Sequence, residues 1–380
     1  MKFVARTLYE LEDVLSRELV MLGASGVEAA NRAVVFEGDT SLLYKVNYCS
    51  RTALSFLKPL ADFSIRTKDD LYAGCSRVRW DDFIGRDSTF SVVPVVNSPL
   101  FKHSGYPALV AKDSIADYFR KKTGRRPSVD TANPDIVVNL HISNQKVTIS
   151  LDSTVIPLYK RGYRIEQTIA PINEVLAAGI IQMTGWTGQT VLFDPMCGSG
   201  TIPVEAAMAA LNIPAGKFRS FFGFQKWRDY DESLFNRIRS EADAGVTNRD
   251  LRIMASDISQ DAVSFARANI ANAGLKDVIA IQIADFKDMK STEDHGVIIM
   301  NPPYGQRLEK EDIDFFYGMI GTTLKHNFSG FSAWIISSNR ESLQKVGLKP
   351  TAKKILFNGA LECLLVNYEL YAGSRKIRNS

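Results

Sequence analysis

The sequence contains no run of about 18 apolar residues, the length a bilayer-spanning helix needs, so no segment reads as a membrane span. Its first residues, MKFVARTLYELEDV, set acids where a secretory signal needs an apolar stretch, and a cytoplasmic protein is expected. Cysteine is scarce. Cys49, Cys75, Cys197 and Cys363 lie far apart with no C-x-x-C pair, a spacing that suits free thiols in a reducing compartment and offers no zinc-finger pattern. No structural metal is therefore expected. Strong charge of one sign is also missing: 46 Lys and Arg against 42 Asp and Glu leave a formal +4, so any polyanion-binding surface must be local.

A chain of 380 residues exceeds what one core usually organises, and two or three domains are expected. Two basic clusters are candidates for a local site: Arg120, Lys121, Lys122, Arg125 and Arg126 at one helix end, and Lys160, Arg161 and Arg164 in YKRGYR. Taken alone, such clusters are commonly solvated faces.

Residues 1–63 show a change of period. Phe3–Ala5 reads as a strand; Leu8, Leu11, Leu15, Leu19 and Leu22 then repeat at helical spacing until Gly23. Val27–Ala30 and Ala33–Glu37 flank Asn31-Arg32 as a hairpin, Thr40 is placed as the cap of a second helix, and Ala53–Leu57 supplies a last strand. The order β-α-β-β-α-β is ferredoxin-like. Residues 64–160 form a second α+β module, with helices near Asp69–Arg77 and Ala108–Lys122 and strands at Ser88–Val96, Asp135–Ser143 and Lys146–Asp152, the last two joined by an Asn144-Gln145 turn. Neither module shows a catalytic constellation. If the second grips a polyanion, Lys102, His103, Arg125 and Arg126 are the candidates, although a single histidine such as His103 is usually an ordinary loop residue.

Residues 161–380 alternate β and α: helix INEVLAAGIIQM, strand VLFD, helix IPVEAAMAAL, strand RIMAS, helix SQDAVSFARANIANAG, then strands at Val278–Ile283, Val297–Met300 and Ala333–Ser337. The fold class is α/β, a doubly wound parallel sheet, closed by an apparent hairpin of Lys354–Phe357 with Glu362–Tyr371. Ligands in such sheets bind where strands end and helices begin. Asp194-Pro195-Met196-Cys197-Gly198-Ser199-Gly200-Thr201 occupies such a place. Gly198 and Gly200 permit close backbone approach to a ligand, and Asp194 can accept from the ammonium of a methionine moiety; a tight βα turn would use the same glycines. Asp257, followed by Ile258, ends the next strand and can accept from ribose hydroxyls. It lies well beyond the usual spacing of about 20 residues, so residues 212–250 are an insertion, whose Phe221, Phe222, Phe224 and Trp227 are expected to pack in a core. Asp285 can accept from an adenine amine, with Phe286 packing on the ring.

Asn301-Pro302-Pro303-Tyr304 follows the apolar strand Val297–Met300 and so lies at the same edge as the glycines. An exocyclic amine on a base is a poor nucleophile because its lone pair is delocalised into the ring. The Asn301 side-chain oxygen and the Pro302 carbonyl can accept the amine's two hydrogens, leaving the lone pair aimed at a sulfonium methyl, while Tyr304 stacks on the base. Alignment and electrostatic preorganisation supply the acceleration without a strong general base. Asn-Pro and Pro-Pro are also ordinary turn dipeptides; it is their register with Asp194, Gly198, Gly200, Asp257 and Asp285 that argues for chemistry. Cys197 reads as a loop residue.

On these motifs the chain resembles the THUMP-domain RNA methyltransferases, whose catalytic domains carry an N-P-P-Y-type motif. RGYRIEQTIAPINEVLAA resembles the segment joining THUMP to catalysis in that group, and RPSVDTANPDIVVNLHI its THUMP strand region. AGKFRSFFGFQKW and NPPYGQRL resemble the insert and catalytic loop of bacterial enzymes that make N2-methylguanosine in 23S ribosomal RNA. The resemblance implies S-adenosyl-L-methionine as cofactor, a Rossmann-like catalytic sheet behind the ferredoxin-like and THUMP modules, and further cofactor contacts from Pro171 to Glu174. It also implies RNA as partner, with 23S ribosomal RNA first and transfer RNA as the alternative; the basic residues expected to hold it are Lys102, His103, Arg125, Arg126, Arg161 and Arg164. Asn173 and Gln306 depart from the expected pattern. Some relatives carry a second methyltransferase domain; here one modification is expected.

Overall fold

The computed structural model describes residues 1–85, 87–168, 171–303 and 310–371, with nothing said of the side chains at 310 and 311. The chain divides into two compact units, one of Met1–Thr7, Leu15–Leu158 and Arg219–Glu241, the other of Leu8–Val14, Tyr159–Phe218 and Ala242–Ser380.

The first unit is built on one seven-stranded sheet. Its strands are β1 (Lys2–Arg6), β2 (Ser25–Ala30), β3 (Ala33–Glu37), β4 (Ser55–Ser64), β5 (Phe90–Asn97), β6 (Ile136–Ser143) and β7 (Lys146–Asp152), in the order β2-β3-β1-β4-β7-β6-β5. Alternation sets the buried face: Phe3 opposes Phe36 across the β1–β3 pair, both fully buried with ring centroids 5.5 Å apart. β4 is twice as long as its apolar pattern implied. It pairs antiparallel with β1 through Leu57 and with β7 from Leu57 to Ser64, so the strands of the ferredoxin-like module and those of the second α+β module share a single sheet. Pro59 cannot donate to a ladder, and the register shifts between Pro59 and Ala61 to absorb it. Asn144 turns the β6–β7 hairpin at φ +53°.

Helices α1 (Glu12–Leu22), α2 (Thr40–Cys49), α3 (Lys68–Ser76) and α4 (Gly105–Thr123) connect these strands. The cap of α2 is Asp39 rather than Thr40: the Asp39 carboxylate accepts from the Leu42 amide at 2.8 Å, and Thr40 is already the first helical residue. The aromatic insertion enters this unit's core. Phe222, Phe224 and Trp227 are buried, and Phe224 stacks on Tyr44 of α2 at 4.3 Å, with Phe235 of α7 (Glu232–Ala244) edge-on to both. Burying each such ring contributes about 1.5–3 kcal/mol, and each well-oriented pair about 1 kcal/mol more.

The second unit holds β8 (Val191–Asp194), β9 (Ile253–Asp257), β10 (Ile279–Ile283), β11 (Gly296–Met300), β12 (Phe331–Ser337), β13 (Ala352–Asn358) and β14 (Leu361–Glu369), in the order β10-β9-β8-β11-β12-β14-β13. The first five run parallel; β14 is antiparallel to β12 and to β13. Every residue of β8 and β11 is buried, as strands covered on both faces require. Helices α5 (Glu174–Thr184), α6 (Thr201–Ala210), α8 (Gln260–Asn272), α9 (Lys310–Asn327) and α10 (Arg340–Lys345) complete the unit. β8 is flanked by β9, which follows it, and by β11, so strand order reverses there, and the carboxyl edge at such a point is where ligands bind in doubly wound sheets.

Candidate active site

Because β8 to β12 are parallel, Asp194, Asp257, Ile283 and Met300 all end strands at one edge, with Asp257 opposite Ile283 in register and Asp194 opposite Ala255. The loop after β8 is tightly tied. The Gly198 amide donates to Asp257 Oδ2 at 2.9 Å, the Cys197 amide to the Ser256 carbonyl at 2.9 Å, and the Gly200 amide to the Cys197 carbonyl at 2.8 Å. Gly198 and Gly200 have φ of +52° and +81°, and Gly200 sits at the start of α6, so the chain needs left-handed backbone here. A Cβ on Gly200 would stand 3.1 Å from Ala266 Cβ of α8, which also keeps this position small.

Asp194 is 1% exposed. Its Oδ1 accepts from the Met196 amide at 3.3 Å, whereas Oδ2 is buried without a hydrogen-bond partner. Burial, with Asp257 nearby, pushes its carboxyl well above the usual carboxylate range. A buried orphan acceptor is costly unless a donor meets it, and a ligand ammonium would be such a donor. Glu174, in the first turn of α5, is similar: Oε1 pairs with Arg164 at 3.3 Å, Oε2 has no partner, and burial outweighs Arg164 to raise the carboxyl to about 7. Asn173 caps α5, accepting from the Val175 and Leu176 amides, and Pro171 is half-buried beside it. Two buried unpartnered carboxylate oxygens around a glycine loop fit a ligand with a cationic, hydrogen-bonding head.

Asp257 also accepts from the Ser259 amide at 2.9 Å, which fixes the loop leading into α8. Ile258 beside it is 69% exposed and Ile283 50% exposed, leaving apolar surface at this edge. Phe286 takes no part in that surface. It is 3% exposed and stacks on Phe328 at 5.6 Å, so the expectation that it packs on a ligand ring is corrected: its side chain fills the core between sheet and α9. Asp285 caps the short turn holding Phe286, and Lys287, at 2.8 Å, holds its carboxyl below the ordinary value. The Cys197 thiol is 7% exposed and pushed up by burial and then by Asp194 and Asp257, conditions that keep it protonated. Pro195 and Met196 lie in the same loop; Ser199 Oγ is buried without a partner, and Thr201 Oγ1 accepts from Arg164 at 2.7 Å. Asn301, half-buried, and Pro302, buried, follow β11 directly, with Pro303 exposed. Tyr304 and Gln306 lie outside the described residues.

The expected polyanion-binding residues do not form one patch. Lys102 and His103 are exposed just before α4, Arg125 and Arg126 exposed just after it, with Arg126 3.4 Å from Asp117. The helix between them has 19 residues, which at 1.5 Å per residue separates the pairs by roughly 28 Å. Arg161 is corrected outright. It is 1% exposed, and its Nε and Nη2 meet Glu205 Oε1 and Oε2 at 3.2 and 3.3 Å, with the Tyr163 hydroxyl also donating to Oε1 at 3.1 Å. Arg164 is turned inward too, donating to the Ile172 carbonyl and Thr201. The residues that pin this linker, Glu205, Tyr163, Asn269 and Asn272, were not singled out from the sequence; a lone acid inside the apolar IPVEAAMAAL was the available sign of a buried ion pair.

A parallel sheet with an antiparallel penultimate strand, a glycine loop beside the orphaned Asp194 oxygen and an Asn-Pro-Pro turn at the adjoining strand end define a methyltransferase class of site. Residues 161–367 match the family described as RMKL-like, methyltransferase domain, residues 66–152 the THUMP domain, and residues 2–54 the RlmL ferredoxin-like domain. The first match covers more than half of the chain, which belongs to this family of THUMP-bearing RNA methyltransferases. It is 37% identical over 363 residues to slr0064 of Synechocystis, a protein provisionally named an RNA methyltransferase, spanning 95% of this chain and 94% of that one. It is also 37% identical over 367 residues to ribosomal RNA large subunit methyltransferase K/L of Psychromonas ingrahamii, spanning 95% of this chain but 49% of the relative, about half its length. Among solved structures, SMU.472, provisionally assigned as a methyltransferase and solved in complex with SAH, superposes with a TM-score of 0.89 at 30% identity over 98% of this chain and 99% of that one. No helix among the described residues is long and apolar enough to cross a membrane.

Proposed function

We propose that this protein transfers a methyl group from S-adenosyl-L-methionine to N2 of a guanine in 23S ribosomal RNA. The observation that carries the reading is Asn301-Pro302-Pro303 at the end of β11, beside the strand whose loop holds Gly198, Gly200 and the unpartnered Asp194 oxygen. When bound, the cofactor supplies an electrophilic methyl on a sulfonium. Asp194 Oδ2 and Glu174 Oε2 would meet the methionine head, Asp257 the ribose, and the exposed Ile258 the base. Asp285 would accept from the adenine amine, with Lys287 yielding one oxygen.

The Asn301 side-chain oxygen and the Pro302 carbonyl accept the two N–H groups of the target amine, which turns its lone pair out of the ring system. Tyr304 stacks on the flipped base. The amine would then need alignment more than a base: as the carbon–nitrogen bond formed the sulfonium carbon–sulfur bond would break, leaving S-adenosylhomocysteine, and the amine's proton would pass to water afterwards. Flipping a guanine from a stacked position costs a few kcal/mol, offset by RNA contacts elsewhere. The THUMP-bearing unit supplies these, with Lys102 and His103 at one end of α4 and Arg125 and Arg126 at the other reading backbone rather than sequence. The choice of large-subunit ribosomal RNA is supported by the name of the K/L relative, and that of guanine by the resemblance of NPPYGQRL to the catalytic loop of the enzymes that make N2-methylguanosine.

The test is transfer of labelled methyl from S-adenosylmethionine to unmodified total RNA, followed by digestion to nucleosides and mass analysis. Label in N2-methylguanosine from large-subunit RNA is the expected result. Label in transfer RNA moves the substrate, label in methyladenosine moves the base, and no label in any RNA overturns the proposal.

A further inference from the structure

Asn269 is the one polar residue of α8 that is completely buried, and all four of its hydrogen-bonding sites are used. Its Nδ2 donates to the Ser199 carbonyl at 2.9 Å and to the Glu166 carbonyl at 2.8 Å. Its Oδ1 accepts from the amides of Ile165 at 2.8 Å and Glu166 at 3.1 Å. One side chain thus ties the middle residue of Gly198-Ser199-Gly200 to the linker that precedes α5. Two further observations place loop, linker and helix together. A Cβ on Gly198 would come 3.6 Å from Thr168 Oγ1, so the linker lies over the loop, and Ala266, one helical turn before Asn269, packs against Gly200. Asn272, one turn further on, holds the same linker at the Gly162 and Tyr163 carbonyls, away from the glycine loop.

We infer that Asn269 is a positioning residue of the cofactor site, fixing the glycine loop and the linker as one body; this rests on the reading that the loop holds S-adenosylmethionine. A glycine loop lets a ligand approach its backbone closely only if its peptide planes are fixed. Asn269 fixes the Ser199–Gly200 plane from behind, on the side away from solvent, and the linker that carries Arg164 towards Glu174 is held by the same amide group. It touches no reacting atom. Its loss should therefore weaken cofactor binding while leaving the chemical step unchanged once cofactor is saturating.

Asn269→Asp separates the two halves of the contact. The carboxyl group keeps the shape and can still accept from the linker, but ionised it has no hydrogen to give and protonated only one, so at least one of the Ser199 and Glu166 carbonyls loses its donor. Calorimetric titration with S-adenosylhomocysteine should show Kd at least tenfold weaker than in the wild-type chain. KM for S-adenosylmethionine should rise in parallel, with kcat within twofold. Asn272→Ala, which loosens only the linker, should leave Kd within twofold. Hydrogen exchange on the wild-type chain gives a measurement independent of whether the variants fold: S-adenosylhomocysteine should slow exchange at Ile165 and Glu166 together with residues 197–201. Equal Kd in Asn269→Asp and wild type, equal weakening by Asn272→Ala, or protection of the loop without residues 165 and 166 would each overturn the inference while the site reading stands. A wild-type chain that binds no S-adenosylhomocysteine overturns the site reading, and the inference with it.

Discussion

Both units are built on seven strands, yet only one of the two sheets gathers chemistry at an edge. In the first, neighbouring strands are antiparallel except β5 with β6, so strand ends alternate between the two edges and the loops that leave them scatter. In the second, five parallel strands deliver Asp194, Asp257, Ile283 and Met300 to one edge. The difference extends to arginine. Arg125 and Arg126 stand in solvent after α4, whereas Arg161 is enclosed against Glu205 in the unit that holds the glycine loop. Topology decides which sheet can hold a site, and burial decides which charges hold that site in shape.

The sharpest way to break this comparison is to remove the enclosed charge. Arg161→Ala takes the guanidinium from the buried Glu205 carboxylate while the Tyr163 hydroxyl still donates to it, and the expected loss is about 3–5 kcal/mol of stability by urea unfolding. Arg161→Met combined with Glu205→Leu removes both charges and should recover most of that loss. If the single variant unfolds like wild type, the pair is not what pins the linker. The second largest effect is on turnover. Asn301→Ala should keep the fold and the affinity for S-adenosylhomocysteine but cut kcat by about 10²–10³, the cost typical of losing one oriented partner of the developing charge. Wild-type turnover would remove Asn301 from the mechanism.

The sign of the pH response offers a finer cut. Glu174 is raised from its unfolded value to about 7 by burial, so the folded chain holds the proton more tightly than the unfolded chain does. Its contribution is complete below about pH 4.5 and is lost as pH rises through about 7. At 1.36 kcal/mol per unit, the swing is about 3 kcal/mol as an upper value. Glu174→Gln keeps the shape without the titration, so the urea midpoint of wild type should fall relative to the variant between pH 5 and 8. A constant difference across that window would show that Arg164 keeps the carboxylate ionised throughout.

Much of this architecture was legible from period and strand-end chemistry. VLF and VIIM are short apolar runs followed at once by Asp-Pro and Asn-Pro, which places both turns at the carboxyl edge before any fold is drawn. What was illegible has physical reasons. β4 continues past Leu57 because a bulge absorbs Pro59, and proline in a strand pattern reads as a stop. Asp39 and Thr40 are both good caps in sequence, and only the backbone angle at Asp39 decides between them. Phe286 beside Asp285 looks like a stacking ring, but the core behind β8 claims it. Arg161 in YKRGYR reads as surface charge because its partner lies in α6, far along the chain.

The smallest effects belong to the exposed charges, and they test whether the first unit acts as one surface or two. Lys102 and Arg125 lie at opposite ends of α4, so one short RNA helix contacting only one end would feel only one of them. A duplex or folded RNA that spans the helix would feel both. Lys102→Ala and Arg125→Ala should each weaken binding of a large-subunit RNA fragment only a few-fold and lower the slope of log K against log salt by about one, and the double variant by about two. If only one of the pair changes the slope, RNA follows a single end of α4. If neither does, the exposed charges are merely solvated, and the grip on RNA must come from elsewhere in the chain.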